Sequence, residues 1–360
     1  MRFLPEPDYR HGTGGKTAIL LVNLGTPDAP SAGAVRRYLK EFLSDPRVVE
    51  IPRPIWWLIL NGIILNVRPA STAKKYARVW LPEGSPLKVH TANMAVRLEE
   101  RLSATKAGVV VRYAMRYGNP SVGDVLSDLK AAGAARIVLL PLYPQYAAST
   151  TGAVMDALAA WTARTRNLPE LRLVRSFHDH PAYIAALAGS VRAHWQENGQ
   201  PDKLLMSFHG LPKYTLDKGD PYHCECHKTA RLLAEALDLR PEQWQLAFQS
   251  RFGRAEWLQP YTSEVLRKLG EAGTGRVDVI CPGFPADCLE TLEELGIEGR
   301  EIFIGAGGRE YGLIPCLNSG DEWIAALESI SADHTGGWQV PTPAALADSA
   351  RRALEFGAAR

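Results

Sequence analysis

Short apolar runs of strand length recur along the chain, and helical patterns follow them. Thr17 to Asn23 (TAILLVN) reads as a buried strand, ended by Leu24-Gly25-Thr26-Pro27, and a helical segment follows over Ala32 to Phe42. Val109 to Met115 (VVVRYAM) and Arg136 to Leu140 read as two further strands. Between them lies a helix over Val122 to Ala132, closed by Gly133, and a helix over Ala153 to Arg164 completes the unit. In the second half, Leu204 to Pro212 (LLMSFHGLP) starts as a buried strand and breaks at Gly210 and Pro212, with His209 at the break. Continuous apolar strands alternating with helices predict parallel sheets covered on both faces. Asp321 to Ile330 and Thr342 to Phe356 read as helices. The second of these, within 340–360, is a candidate to pack back on the first domain.

The second half repeats the first. LGTP (24–27) corresponds to HGLP (209–212), and RYG (116–118) to RFG (251–253). DVLSDLKAAG (124–133) corresponds to EVLRKLGEAG (264–273), and RIVLLPLYP (136–144) to RVDVICPGFP (276–285) with one gap. The chain therefore reads as two copies of one α/β unit, over 14–165 and 166–335, each large enough for a core of its own. Such pairs bind ligands in the cleft between their strand ends.

The copies differ in length. Roughly ninety positions separate Leu24 from Arg116, but roughly forty separate His209 from Arg251. The extra residues include Ile51 to Pro69 (IPRPIWWLILNGIILNVRP), an apolar stretch flanked by Arg53 and Arg68. It reads either as a core helix or as an exposed lip that meets a membrane or covers a flat ligand. An insertion beside a cleft mouth favours the lip, placed at about 50–85 with Trp56, Trp57 and Leu60 as its apolar contacts.

Composition adds exclusions. The chain is 46% apolar and 22% charged with a net charge of +2, so nothing global points to nucleic acid. The N-terminus shows no apolar signal region, and no apolar run reaches the roughly 18 residues of a membrane span. The five cysteines are uneven and include a C-x-C pair, which predicts reduced thiols and a cytoplasmic protein. GTGGKT (12–17) does not make a phosphate loop, because position 10 is Arg and the motif precedes a strand instead of following one.

The candidate chemistry lies where the copies diverge. Leu24 ends the first strand of one copy, and His209 ends its counterpart. After the last repeated strand, FPADCLETLEELG predicts a helix from near Ala286 to Gly296. Asp287, Glu290 and Glu294 then fall at i, i+3 and i+7, on one helical face, with Asp287 in the first turn. That pattern is also what a solvated acidic face looks like. A histidine opposite carboxylates can hold a borderline divalent metal or take protons from a substrate.

SFHGLP, KGDPY (218–222) and PGFPADCLETLEEL (282–295) together resemble the ferrochelatase family. VNLGTPD, SPL (85–87), YPQYAASTTG, FQSRFG with Trp257, and CLN (316–318) extend the resemblance over about 17–330. It implies two Rossmann-like, chelatase-like domains, with a porphyrin cleft between them and an apolar lip at its mouth. It also implies insertion of Fe2+, as substrate, into a porphyrin with release of two protons, the last step of haem synthesis. His209 matches the family's essential histidine and Glu290 its catalytic glutamate, both candidates to meet the metal. Asp287 and Glu294 match the acidic row behind, a proton or metal path. Leu24, Tyr76, Arg116, Tyr143 and Trp257 match cleft positions, and Arg68 is a candidate for a substrate propionate. Protoporphyrin IX is the expected substrate because the lip is long and apolar. Coproporphyrin III, sirohydrochlorin or a non-catalytic tetrapyrrole carrier are the alternatives. The lip implies peripheral contact with the inner face of the membrane; oligomeric state is not legible.

Many relatives carry a [2Fe-2S] cluster held by cysteines, some in a C-terminal extension. No cysteine follows Cys316 here and Ala148 stands where cluster-bearing animal relatives have Cys, so no cluster and no permanently bound cofactor is expected. His223-Cys224-Glu225-Cys226-His227 reads as a helix start or as an accessory metal site. Cys281 and Cys288 read as buried small hydrophobes, and His178 and His180 as structural or surface residues.

Overall fold

The computed structural model describes residues 3–104, 108–253, 255–338 and 341–358. The strands are β1 (Lys16–Gly25), β2 (Val109–Tyr117), β3 (Ala134–Pro141), β4 (Glu170–Leu173), β5 (Lys203–His209), β6 (Trp244–Gln249), β7 (Arg276–Ile280) and β8 (Glu310–Leu313). They form two four-stranded sheets, ordered β2-β1-β3-β4 and β6-β5-β7-β8, and every pair is parallel. The same order occurs twice, so β1 and β5 are equivalent central strands.

The repeat extends to the turns. Gly25 ends β1 at φ 114°, and a Cβ there would lie 1.7 Å from the Tyr117 carbonyl oxygen of β2. At Gly210, just past β5, a Cβ would lie 2.7 Å from the Gln249 oxygen of β6. Only glycine lets the central strand leave the sheet this close to its neighbour. A π-helix follows the third strand of each copy, at Ala148–Gly152 and at Glu290–Gly299.

Side chains alternate along the central strands, so each sheet has two faces to cover. Ala18, Leu20 and Val22 face one cluster, which Leu126, Leu129 and Trp161 complete. Leu205 faces another, with Val279, Leu266 and Phe303. Separate cores for the two units were the expectation, but the inner faces share one. Ile19 and Leu21 of β1 join Leu204, Met206 and Phe208 of β5 in the largest cluster. The reason lies in the covering helices. Asp321–Thr335 packs on both Pro181–Asn198 and Pro86–Ser103, and the Trp323 indole reaches the Met94 sulfur at 3.4 Å.

Between β1 and β2 the first copy carries extra helices. Arg53–Ile59, the π-helical Leu60–Ile64 and Leu65–Val79 follow one another directly. Ile55, Trp57, Leu58, Ile63 and Val67 are exposed on this segment. Leu60, expected among them, is only 3% exposed. It is a core residue, because this turn of helix faces Leu43 and Leu65. Trp56 is half-buried, and its indole N–H donates to the Leu43 carbonyl at 2.6 Å. The stretch is thus both core and lip: one side seals the insertion and the other faces solvent. The last helix, Pro343–Glu355, lies against the N-terminal segment, with Ala350 and Leu346 over Gly12 and Gly14.

Candidate active site

His209 is half-buried at the end of β5, level with Gln249 of β6. Its Nδ1 lies 2.6 Å from the Gly210 carbonyl oxygen. A carbonyl can only accept, so Nδ1 carries the proton and the neutral ring keeps its lone pair on Nε2. Trp257 and Phe284 flank the imidazole, with ring centroids 6.5 and 6.4 Å away. The ring therefore sits among apolar surfaces with one basic nitrogen unused.

The carboxylates differ from the expected α-helical face. Helical structure begins at Leu289, not near Ala286, and Gly296 does not end it. The chain winds as a π-helix through Gly299 and continues as Arg300–Gly305. Asp287 precedes the helix, and its oxygens are already engaged. They accept from the Thr291 hydroxyl at 2.9 Å, the Asn318 amide at 2.7 Å and the Cys316 N–H at 3.4 Å. Asp287 thus ties the helix start to the loop after β8 and does not extend the acidic row. The carboxylates at helical spacing are Glu290, Glu294 and Glu298. Extended π-winding is rare and concentrates at functional sites.

Glu294 is the most perturbed of these. Burial raises its pKa, against hydrogen bonds from Ser250 and the charge of His209, which lower it, while Glu290 raises it further. Glu294 therefore feels both His209 and Glu290. Lys75 binds Glu293 at 2.9 Å and Glu298 at 2.7 Å, and Arg78 binds Glu293 at 3.1 Å. These pairs tie the insertion to the π-helix across the two copies. Leu289 reinforces the junction by packing against Val35, Ala73 and Tyr76.

The wall from the first copy is aromatic. Tyr76 is buried, bonds to Thr26 and feels the charge of Glu290. Thr26 in turn donates to Ser85 at 2.7 Å, so the LGTP turn, the SPL turn and the insertion meet at one hydroxyl chain. Tyr143 is half-buried, and its buried hydroxyl has no partner among the described residues, nor has the Trp257 indole nitrogen. Leu24 is half-buried at the end of β1, the place equivalent to His209. Arg68 stacks over Phe252 at 4.4 Å and makes no ion pair to a described carboxylate; burial lowers its pKa.

Arg116, expected among the porphyrin contacts, is committed elsewhere. It donates to Asp45 at 2.5 Å and to the Ala153 carbonyl at 2.7 Å, and it lies over the Tyr117 ring. A cavity of about 290 Å3 beside it is lined by Glu41, Asp45 and Asp156, not by His209 or Glu290. The charge of Arg116 opposes the burial-raised pKa of Tyr143.

Sequence reasoning missed the residues that hold these groups. The Gln249 side chain donates to the Glu290 carbonyl at 2.9 Å and accepts from Ser207 at 2.8 Å. Ser250, with φ 65°, binds Glu294. Both lie in FQSRFG at the end of β6, and the repeat could have pointed to them as neighbours of His209. His178 and His180 are structural, one beside Glu225 at 3.3 Å and the other capping Ala182. Cys281 and Cys288 are buried. Among the described residues no three His, Cys, Asp or Glu side chains gather closely enough to hold a metal ion, and no helix is long and apolar enough to cross a membrane.

Comparison with known proteins places this geometry. The Ferrochelatase family model matches residues 16–335. The chain is 63% identical over 363 residues to the ferrochelatase of Dechloromonas aromatica (strain RCB), covering 99% of both chains. It is 62% identical over 363 residues to that of Aromatoleum aromaticum, covering 100% of both. Among solved structures, SirB from Bacillus subtilis with Fe3+ shares the fold at a TM-score of 0.53 and 14% identity, covering 91% of this chain and 100% of that one. DR2241 from Deinococcus radiodurans does so at 0.52 and 13%, covering 95% and 60%. The chain belongs to the ferrochelatase family, metal chelatases of the lyase class that act in haem biosynthesis.

Proposed function

We propose that the chain inserts Fe2+ into protoporphyrin IX, with His209 as the base for the pyrrole N–H protons and Glu290 as its carboxylate partner. The observation that carries this reading is an imidazole whose Nδ1 is spent on Gly210, in the electrostatic neighbourhood of the half-buried Glu294 and of Glu290. The free porphyrin holds two N–H protons in the ring plane, and both must leave as Fe2+ enters. His209 takes a proton on Nε2, while its Nδ1–H stays bound to Gly210. Glu290 takes the second or helps strip water from the incoming ion. Glu294, whose burial favours the protonated form, stores a proton and passes it outward toward Glu298. Leu24 and the Tyr76–Tyr143 wall press on one macrocycle face, opposite His209 and Trp257. Bending the ring between such walls turns nitrogen lone pairs outward. Arg68, without a carboxylate partner among the described residues, receives a propionate.

The exposed lip residues Trp57, Leu58 and Ile63 rest on the cytoplasmic surface of a membrane, where an apolar porphyrin is supplied and haem is released. No [2Fe-2S] cluster belongs to this reading; the visible and EPR spectra of the purified protein should lack one.

The test is anaerobic incubation with Fe2+ and protoporphyrin IX, followed through the porphyrin spectrum, with coproporphyrin III alongside. Wild-type protein metalates protoporphyrin IX faster, and His209→Ala does not. Equal metalation by His209→Ala would overturn the assignment of the base, and a preference for coproporphyrin III would reassign the substrate.

A further inference from the structure

His223-Cys224-Glu225-Cys226-His227 plays no part in the reading above. It opens the helix Tyr222–Ala236, so its side chains fan around the axis. Glu225 and Cys226 turn inward, where Glu225 pairs with Arg175 at 3.0 Å. His223 and His227, four residues apart, lie on one face with ring centroids 4.4 Å apart. Both lean on Phe248 of β6, His223 nearly parallel at 5.9 Å and 21°, and His227 at 6.4 Å.

Neither imidazole has a hydrogen-bond or ion-pair partner among the described residues. The structural histidines of this chain do: His180 caps Ala182 and reaches Asp333, and His178 lies beside Glu225. A half-exposed ring pair, fixed against an aromatic wall with its nitrogens unspent, is a ligand pair. Two histidines at i and i+4 are the arrangement by which a helix offers two imidazoles to one zinc ion.

We propose that His223 and His227 form a second metal site, an open two-imidazole clamp for a divalent first-row transition ion, separate from His209 and Glu290. Phe248 holds the rings in place, so less side-chain freedom is lost on binding. Imidazole donors suit Zn2+, Ni2+ and Cu2+, and the ordinary affinity order puts all three above Fe2+. The clamp therefore ranks the reaction's own substrate last among these ions. The described residues supply no third ligand, so water completes the shell and the ion exchanges readily. Cys224 is exposed and next to His223 in sequence, a spacing at which helical side chains point apart.

The test is Zn2+ binding to the full chain by equilibrium dialysis without porphyrin, comparing wild type, His223→Ala/His227→Ala, and His209→Ala. Wild type and His209→Ala should each bind one more ion than the double variant. Cu2+ added to wild type should give an EPR spectrum of two-nitrogen coordination. Because His227 is exposed, His227→Ala alone leaves His223 packed on Phe248, and it should weaken Zn2+ binding at least tenfold. Porphyrin metalation by that variant should stay within twofold of wild type, which certifies its fold. Equal stoichiometry in wild type and double variant would overturn the proposal. So would loss of the extra ion in His209→Ala, which would assign it to the catalytic centre.

Discussion

Ser250 grips the Glu294 carboxylate with two donors, its backbone N–H at 2.7 Å and its hydroxyl at 2.6 Å. The serine holds φ at 65°, a left-handed conformation that non-glycine residues seldom adopt. Such local strain concentrates at functional sites. Here it turns the end of β6 so that both donors face the π-helix.

Burial, opposed by that contact, makes Glu294 a pH sensor of the fold. Burial is the larger influence and leaves its pKa raised despite Ser250. The stability it contributes is complete below the ordinary glutamate pKa of about 4.3 and is lost as pH rises through the folded value. Glu294→Gln removes this titration. The melting temperature of the variant should therefore fall less between about pH 4.5 and 7 than that of wild type, by thermal melts across that window. Parallel curves would contradict the assignment.

The lip divides cleanly into two sides. Leu60→Ala empties a buried site and should cost about 2–5 kcal/mol in urea unfolding. Trp57→Ser, on the same stretch but 64% exposed, should change stability by about 0.5 kcal/mol or less. Vesicle co-sedimentation should reverse the ranking. Trp57→Ser/Leu58→Ser/Ile63→Ser should bind acidic lipid vesicles less than wild type.

Glu293 is a buried carboxylate, 1% exposed, held by Lys75 and Arg78 from the other copy. Removing either cation leaves the second in place and should be mild. Removing both, in Lys75→Met/Arg78→Met, strands a buried charge and should cost about 3–5 kcal/mol. Adding Glu293→Gln should restore much of that loss, since an amide needs no counter-charge. Urea titrations of the three variants would show it.

Arg68 has stacking on Phe252 but no carboxylate partner. Arg68→Ala should raise KM for a dipropionate porphyrin by about tenfold, the loss of a charge-assisted pair of 1.5 kcal/mol or so, with little change in kcat. An equal effect on a porphyrin lacking propionates would assign Arg68 a packing role instead.

The chain order of apolar runs, turns and repeats was enough to determine two parallel-sheet units and to single out His209 as what one copy has and the other lacks. Periodicity of side chains is a local property, and burial of a strand or helix face follows from it. It was enough, too, to put Glu290 and Glu294 one helical turn apart after the third strand of the second copy. What only the tertiary structure decided was partnership. Asp287 bonds Thr291 and Asn318, Arg116 bonds Asp45, and Leu60 packs in the core, while Gln249 holds the Glu290 backbone carbonyl and Ser250 the Glu294 carboxylate. Each depends on segments far apart in the chain, so no local spacing encodes it. The π-winding of Glu290–Gly299 is likewise invisible to a reading that assumes 3.6 residues per turn. The sequence shows which side chains carry chemistry; packing between distant segments decides which of them already have partners.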